Sequence, residues 1–360
     1  MATLVSVGLA SEERIEPFLR LTETFYSDKP VNVAAVVRWR HLASPLGPST
    51  TVELVDGGEP VGRMWIRVHE WSVGGKTVRA ANPCDFLIRE DHRRLPAFMS
   101  LFKATMNESQ RIADFVYHTS NPLTDDLYRK LMKLKPVTEF DGALLPVRPF
   151  GAAQAAGVVR TGVLGRVADL VFSAIVKLVG WLSQLTRVRL SGPPSLPEQE
   201  RVVADFVAEE PVCGTRSASH RDWRHRGAEP IVYQEHWVTK GGRPIGYIVT
   251  SDRDVNGLKA SFVVDMVMPG RPSRLVLWSA WLQVAALASG RGRHAVFFLY
   301  NRLNPSLERL ASLPMVKISR GRLPQQVPIF VRPSKTAEPT ILDGVDWSSG
   351  YFVLSDFDMF

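Results

Sequence analysis

The chain has 360 residues, 45% hydrophobic and 22% charged, which is enough for a sizeable core and longer than the usual single domain, so two domains are expected. Its two cysteines, Cys84 and Cys213, cannot staple a secreted scaffold; no run of 18 apolar residues predicts a spanning helix; and the first residues carry no basic leader or cleavage-like site, so a cytoplasmic chain is expected. The net charge of +8 suits acidic ligands or membranes, but aromatics are not interleaved with basic clusters as on a base-stacking platform, which argues against nucleic acid.

In chain order, residues 50–88 alternate apolar and polar positions around Gly57-Gly58 and Gly74-Gly75, the pattern of an antiparallel meander. Residues 96–111 have helical spacing of apolar positions, 114–119 ("DFVYHT") form a short apolar strand, and 120–134 open on a Ser or Asn cap with acids early and bases late, predicting a second helix. The same order returns in the second half: a meander with Gly241-Gly242, a helix from "RLVLWSAWLQVAALAS", a strand from "HAVFFLY" and a helix from "NPSLERLASL". An offset of 184 carries Gly57 onto Gly241, Pro60 onto Pro244, Gly62 onto Gly246, and the "WRH" of Trp39 and Arg40 onto that of Trp223 and Arg224. Further on the offset is 180, taking Asp85 onto Asp265, Asn121 onto Asn301 and Leu127 onto Leu307. So long a period is a duplicated domain and not an array. The expected fold is α+β, two tandem domains that are each a mainly antiparallel mixed sheet flanked by helices, over 1–147 and 198–360, with a helical linker over 148–197.

Between Val147 and Leu190 the chain carries Arg148, Arg160, Arg166, Lys177, Arg187 and Arg189 against the single acid Asp169. A helix over 163–185 places Arg166, Asp169, Ser173, Lys177, Gly180, Gln184 and Arg187 on one stripe, with nearly everything else apolar. Such a helix needs a partner surface. Burial between the two domains is the first expectation, covering Leu170, Phe172, Ile175, Leu178 and Trp181. The alternative is peripheral contact of 163–185 with a membrane, rimmed by Arg166, Lys177 and Arg187.

The order of turn, strand, "DFLIREDHRRLPAFMSLF", strand and "NPLTDDLYRKL" resembles the GCN5-related N-acetyltransferase (GNAT) superfamily, and the duplication resembles its tandem members from bacterial polysaccharide and cell-envelope clusters. The resemblance implies an acyl-CoA-dependent acyltransferase, with acetyl-CoA or another acyl-CoA as co-substrate and an amine, such as one borne on a sugar or envelope precursor, as acceptor. In it, Arg93, Arg94, Leu95, Pro96, Ala97 and Phe98 match the stretch that holds the coenzyme A pyrophosphate at a helix start. The family's two glycine positions there fall on Pro96 and Phe98. Phe86, Leu87 and Ile88 would lie along the pantetheine, and Asn121 and Tyr128 reproduce the family's seven-residue spacing, with Tyr128 as the acid that protonates the departing thiolate. Asp85 would orient or deprotonate the incoming amine. In the second half Asn301 pairs with Glu308 instead of a tyrosine, so the first half is the expected site. The rival expectation is a degenerate tandem fold serving as a binding or assembly module.

Other residues have plainer readings. Cys84 reads as a small buried hydrophobe with no histidine near it, the eight histidines lack metal-ligand spacing, so no metal is expected, and "WRH" reads as a structural helix-to-strand junction in both halves.

Overall fold

A computed structural model describes residues 4–26, 33–120, 122–155, 157, 160, 162–255, 257–312, 314–323, 326–334 and 342–357. The first half contains β1 (Leu4–Leu9), α1 (Ile15–Tyr26), α2 (Ala34–His41), β2 (Thr50–Asp56), β3 (Glu59–Val73), β4 (Lys76–Ile88), α3 (Leu95–Ile112), β5 (Phe115–Thr119), the short α4 (Pro122–Asp126), β6 (Thr138–Glu139) and β7 (Asp141–Pro146). Then come α5 (Pro149–Ala155), α6 (Val163–Leu182), β8 (Val188–Ser191), α7 (Leu196–Glu209), β9 (Val212–Gly214) and α8 (Ala218–Arg226). The rest is β10 (Gln234–Lys240), β11 (Arg243–Val255), β12 (Leu258–Val267), α9 (Arg274–Gly290), β13 (Ala295–Tyr300), α10 (Pro305–Leu310), β14 (Val316–Ile318) and β15 (Pro328–Pro333). The fold is α+β, two mixed sheets flanked by helices.

The repeated hairpins have the same detail. Gly57 and Gly58 sit at φ 61° and 89°, Gly241 and Gly242 at 57° and 85°. Two positive values in succession define the tight turn whose twist matches its strands, which is why each turn is written Gly-Gly. Both hairpins slip register at the same place, between Leu54 and Val55 and between Val238 and Thr239, and each next strand bulges again, at Asp85 and at Val264.

The sheets exchange strands. The first runs β1-β2-β3-β4-β5-β15-β6 and the second β14-β7-β13-β12-β11-β10-β8. Thus β15, from the end of the chain, lies antiparallel to β5 in the first sheet, while β7, from the first half, lies between β13 and β14 in the second. A third stitch pairs β9 with β3. Neither sheet is therefore built from only one side of the 148–197 segment. One continuous core joins Trp71, Phe115 and Tyr117 of the first sheet to Phe206, Trp237 and Tyr247 of the second half. The two "WRH" tryptophans meet at this junction: Trp39 Nε1 donates to the Trp223 carbonyl and Trp223 Nε1 to the Trp39 carbonyl, both at 2.8 Å. The junction is a pseudo-twofold contact.

Helix α6 departs from the expected burial between domains. Leu170, Ile175, Leu178 and Trp181 face outward, Leu170 and Trp181 each 63% exposed, and of the five residues expected to be covered Phe172 alone packs on the core. Of the predicted stripe, Asp169, Ser173 and Gly180 form the packed side, while Arg166, Lys177, Gln184 and Arg187 stay exposed. Asp169 accepts the backbone N–H groups of Phe150 and Gly151 at 2.8 Å each, Ser173 Oγ lies 2.5 Å from Ser289 Oγ, and Gly180 lets α6 approach α9 so closely that a Cβ there would sit 2.8 Å from the Leu282 carbonyl oxygen. Small residues and satisfied polar groups decide the contact, because close backbone approach and partnered carboxylates outweigh burying more leucine.

Candidate active site

β4 and β5 run parallel but pair only at Ala80 with Phe115 and Ala81 with Val116. Asn82 Nδ2 ties the next step to the Tyr117 carbonyl at 3.0 Å, and beyond it the strands no longer pair, although β4 continues to Ile88 and β5 to Thr119. At this divergence β4 bulges. Arg63 faces Leu87 and Trp65 faces Cys84, so Asp85 and Phe86 together stand opposite Met64. Asp85 has φ 51°, left-handed backbone that non-glycine residues rarely adopt, and that strain is held at the centre of the sheet. A bulge leaves backbone groups outside the ladder, aimed into the space between the strands.

The bulge separates the site residues between the faces of the sheet. Asp85 faces α2, where its Oδ2 lies 3.1 Å from His41 Nε2 and 3.5 Å from Arg40 Nη1. A carboxylate only accepts, so Nε2 carries the hydrogen, while Nδ1 lies 3.1 Å from Ser49 Oγ. The imidazole is fully buried and stacked on Trp65 at 4.4 Å, so its orientation is fixed. Cys84 also joins this group: its Sγ, a His41 ring nitrogen and an Asp85 oxygen all lie within 4.8 Å of one another. This corrects the reading of Cys84 as a buried hydrophobe remote from histidine; it is half-buried, and the fold supplies the histidine from α2. The "WRH" motif was likewise more than a junction, since Arg40 and His41 both reach Asp85. The repeat carried the clue, because His225 at the matching position lies 3.8 Å from Asp265.

On the α3 face, Phe86 meets Phe98 at 5.1 Å, Phe98 stacks on Phe102, and Phe102 meets the Tyr128 ring at 5.2 Å. Tyr128 lies on a single π-turn following α4 and is 3% exposed; burial pushes its hydroxyl above the ordinary phenol range. His118 of β5 and Phe330 of the exchanged β15 close the cluster around it. Sequence reasoning had no signal for these two, one of which arrives from the far end of the chain. Leu87 packs toward α1 and α2, and Ile88 toward α3. Asn121 lies outside the described residues.

At the start of α3, Arg94 is the cap residue and supplies no side-chain acceptor, so the first-turn N–H groups of Leu95 and Ala97 have no cap; Pro96 has no N–H to offer. Arg93, Arg94, Leu95 and Pro96 are exposed, and Arg93 Nε donates to the Ile88 carbonyl at 3.1 Å. Phe98 turns inward, away from this surface. The nearby His92 is held above its ordinary pKa by hydrogen bonds to the Asp91 and Asp56 carboxylates.

The equivalent place in the second sheet is filled. Asp265 is 1% exposed, bound by Arg216 Nε at 3.1 Å and by the Tyr247 hydroxyl at 3.0 Å, and Arg216 continues to Asp356 at 3.1 Å. Tyr351 donates its hydroxyl to the Met266 carbonyl, and Asn301 Nδ2 donates to the Ser348 and Gly350 carbonyls, so the C-terminal segment crosses the divergence of β12 and β13. Helix α9 is capped by its own Ser273. Glu308, at the position of Tyr128, pairs with Lys317.

Solved structures that carry acyltransferase names share the overall fold of this chain. A GCN5-related N-acetyltransferase from Anabaena variabilis ATCC 29413 superposes with a TM-score of 0.58 at 13% identity, over 92% of this chain and 73% of that one. The N-myristoyltransferase of Saccharomyces cerevisiae with bound myristoyl-CoA gives 0.58 at 9% identity, over 92% and 80%. A probable N-acyltransferase from Enterococcus faecalis V583 gives 0.57 at 11%, over 92% and 73%. No protein-family model matches the sequence, and no curated protein matches it.

Proposed function

We propose that the chain is an acyltransferase that moves an acyl group from acyl-CoA to an amine, working in the first sheet. The observation that carries this reading is the contrast between the halves: the Asp85 bulge keeps a strained, 21% exposed carboxylate beside His41, while its counterpart Asp265 is sealed by Arg216 and the C-terminal segment. The uncapped start of α3 with Arg93 and Arg94 suits the pyrophosphate, where helix-end N–H groups and guanidinium both favour an anion. Along Phe86 to Ile88 the strand offers backbone groups to the pantetheine, and a bulge N–H would stabilise the oxyanion of the tetrahedral intermediate. The amine nitrogen attacks the thioester carbonyl carbon from the α2 face, its proton passing to Asp85 directly or through water. As the carbon–sulfur bond breaks, Tyr128, from the α3 face, gives its proton to the thiolate. Burial keeps Tyr128 protonated but also makes it a weaker acid, so its proton passes only to a thiolate formed in direct contact with it.

Acetyl is the simplest donor group for this site, and an amine on a sugar or envelope precursor is the acceptor we favour. Calorimetric titration with acetyl-CoA tests the reading. Binding in the micromolar range is expected, weakened by roughly 1.5–3 kcal/mol for each charge-assisted bond lost in Arg93→Ala with Arg94→Ala, and unaffected by Arg274→Ala at the start of α9. Asp85→Asn should leave binding intact and depress thiol release in the presence of an amine acceptor. No binding of any acyl-CoA would leave a binding or assembly module as the better account.

A further inference from the structure

Among the described residues no helix is long and apolar enough to cross a membrane, yet α6 turns a continuous apolar face outward. Leu164, Val167, Leu170, Val171, Leu178 and Trp181 are all more than half exposed, and Leu185 extends the face beyond the last turn. Nothing polar interrupts it. On α9, Leu275 and Trp278 are exposed in the turn before Ser279, whose Oγ lies 2.9 Å from Thr186 Oγ1, so the patch continues across the helix pair.

The exposed charge of the segment that carries this face has one sign. Arg160, Arg166, Lys177, Arg187 and Arg189 are exposed, and the single acid between Val147 and Leu190, Asp169, is buried and occupied by the N–H groups of Phe150 and Gly151. Successive residues turn by about 100° around an α-helix, which puts Arg166 and Lys177 together along one border of the apolar face. A second copy of the chain is a poor occupant. An isologous contact would set this basic rim against itself, with no exposed acid in the segment to pair it. Spanning is excluded by the other side of the helix, where Asp169, Ser173 and Gly180 are committed to α5 and α9.

We propose that α6 docks flat on an anionic bilayer, its apolar face among the upper acyl chains and Arg166, Lys177 and Arg187 against headgroup phosphates. A tryptophan on an amphipathic helix suits that boundary, and a helix of this length lies about 30 Å along the surface. The inference stands on α6 alone and not on the transfer chemistry proposed for the first sheet.

Flotation of the full chain with vesicles tests it, using phosphatidylcholine alone and equal parts phosphatidylcholine and phosphatidylglycerol. Binding to the mixed vesicles, much weaker binding to the neutral ones, and loss at high salt are expected. Arg166→Gln and Lys177→Gln should each weaken binding roughly five-fold. Leu170→Glu with Leu178→Glu should abolish it, while circular dichroism shows the same melting profile, since both side chains point outward. Failure to float with anionic vesicles, or flotation unchanged by the paired glutamates, overturns the proposal. So does a lipid-free dimer in sedimentation velocity that the paired glutamates dissolve, because the occupant is then a second copy.

Discussion

His118 offers a test of the packing around the first sheet. Its ring stacks on Phe330 at 5.2 Å and meets Tyr128 edge-on at 5.1 Å, it is 3% exposed, and among the described residues neither ring nitrogen has a hydrogen-bond partner. Burial alone pushes its pKa down to about 4. The folded chain therefore holds a neutral imidazole, while the unfolded chain takes up a proton near the ordinary value of about 6.5. Between these values the unfolded state binds more protons, so the stability present above pH 6.5 is lost as pH falls toward 4. Integrating that difference, this one residue costs about 2 kcal/mol on going from pH 8 to pH 5. Phenylalanine has a similar shape, stacks as well on Phe330, and cannot titrate. Urea unfolding of the wild type and His118→Phe at both pH values measures the effect. The variant should be at least as stable at pH 8 and should resist the drop to pH 5 by about 2 kcal/mol more than the wild type. His220, which burial holds near 3, lowers the acid stability of both proteins equally and cancels in the comparison. An identical loss in both proteins would refute the assignment of a buried, unpartnered, neutral His118.

Two further substitutions probe what fixes the halves. Arg216→Ala leaves Asp265 and Asp356 buried without their shared cation and should cost about 3–5 kcal/mol in urea unfolding; burial already raises the Asp356 carboxyl to about 6, so the defect should shrink at pH 5, where protonation relieves it. Gly180→Val places a Cβ within 2.6 Å of Ala286 Cβ and should lower stability by about 1–3 kcal/mol, whereas Leu178→Ala on the outer face of the same helix should change it by less than about 0.5 kcal/mol.

The hairpins were legible because they are local. A Gly-Gly turn between alternating strands is encoded within a few residues, and its two copies, 184 residues apart, agree to within a few degrees of φ. Partner choice was not legible. β7 and β15 have the apolar composition of central strands, but no residue in either says which sheet will receive it; that is settled by the whole chain. Helix α6 misled for a different reason. Its apolar majority suggested burial, whereas the contacts with α5 and α9 were decided by three small or polar residues, Asp169, Ser173 and Gly180, which hydropathy ranks low. At the site, Asp85 and Tyr128 could be nominated singly, but His41 and Cys84 became neighbours only through the fold. The identical "WRH" in each half was the one sequence trace of that meeting.

The exchange of β7 and β15 also has a consequence in time. When β5 leaves the ribosome, the strand that will lie beside it is roughly 200 residues from being made, which at about 5–20 residues per second is some ten to forty seconds. Through that interval one side of β5 is an unpaired strand edge, the kind of surface that recruits other chains. The nascent first half must wait, shielded or chaperoned, for the last strand to close it, and any truncation before Pro328 would leave that edge permanently open.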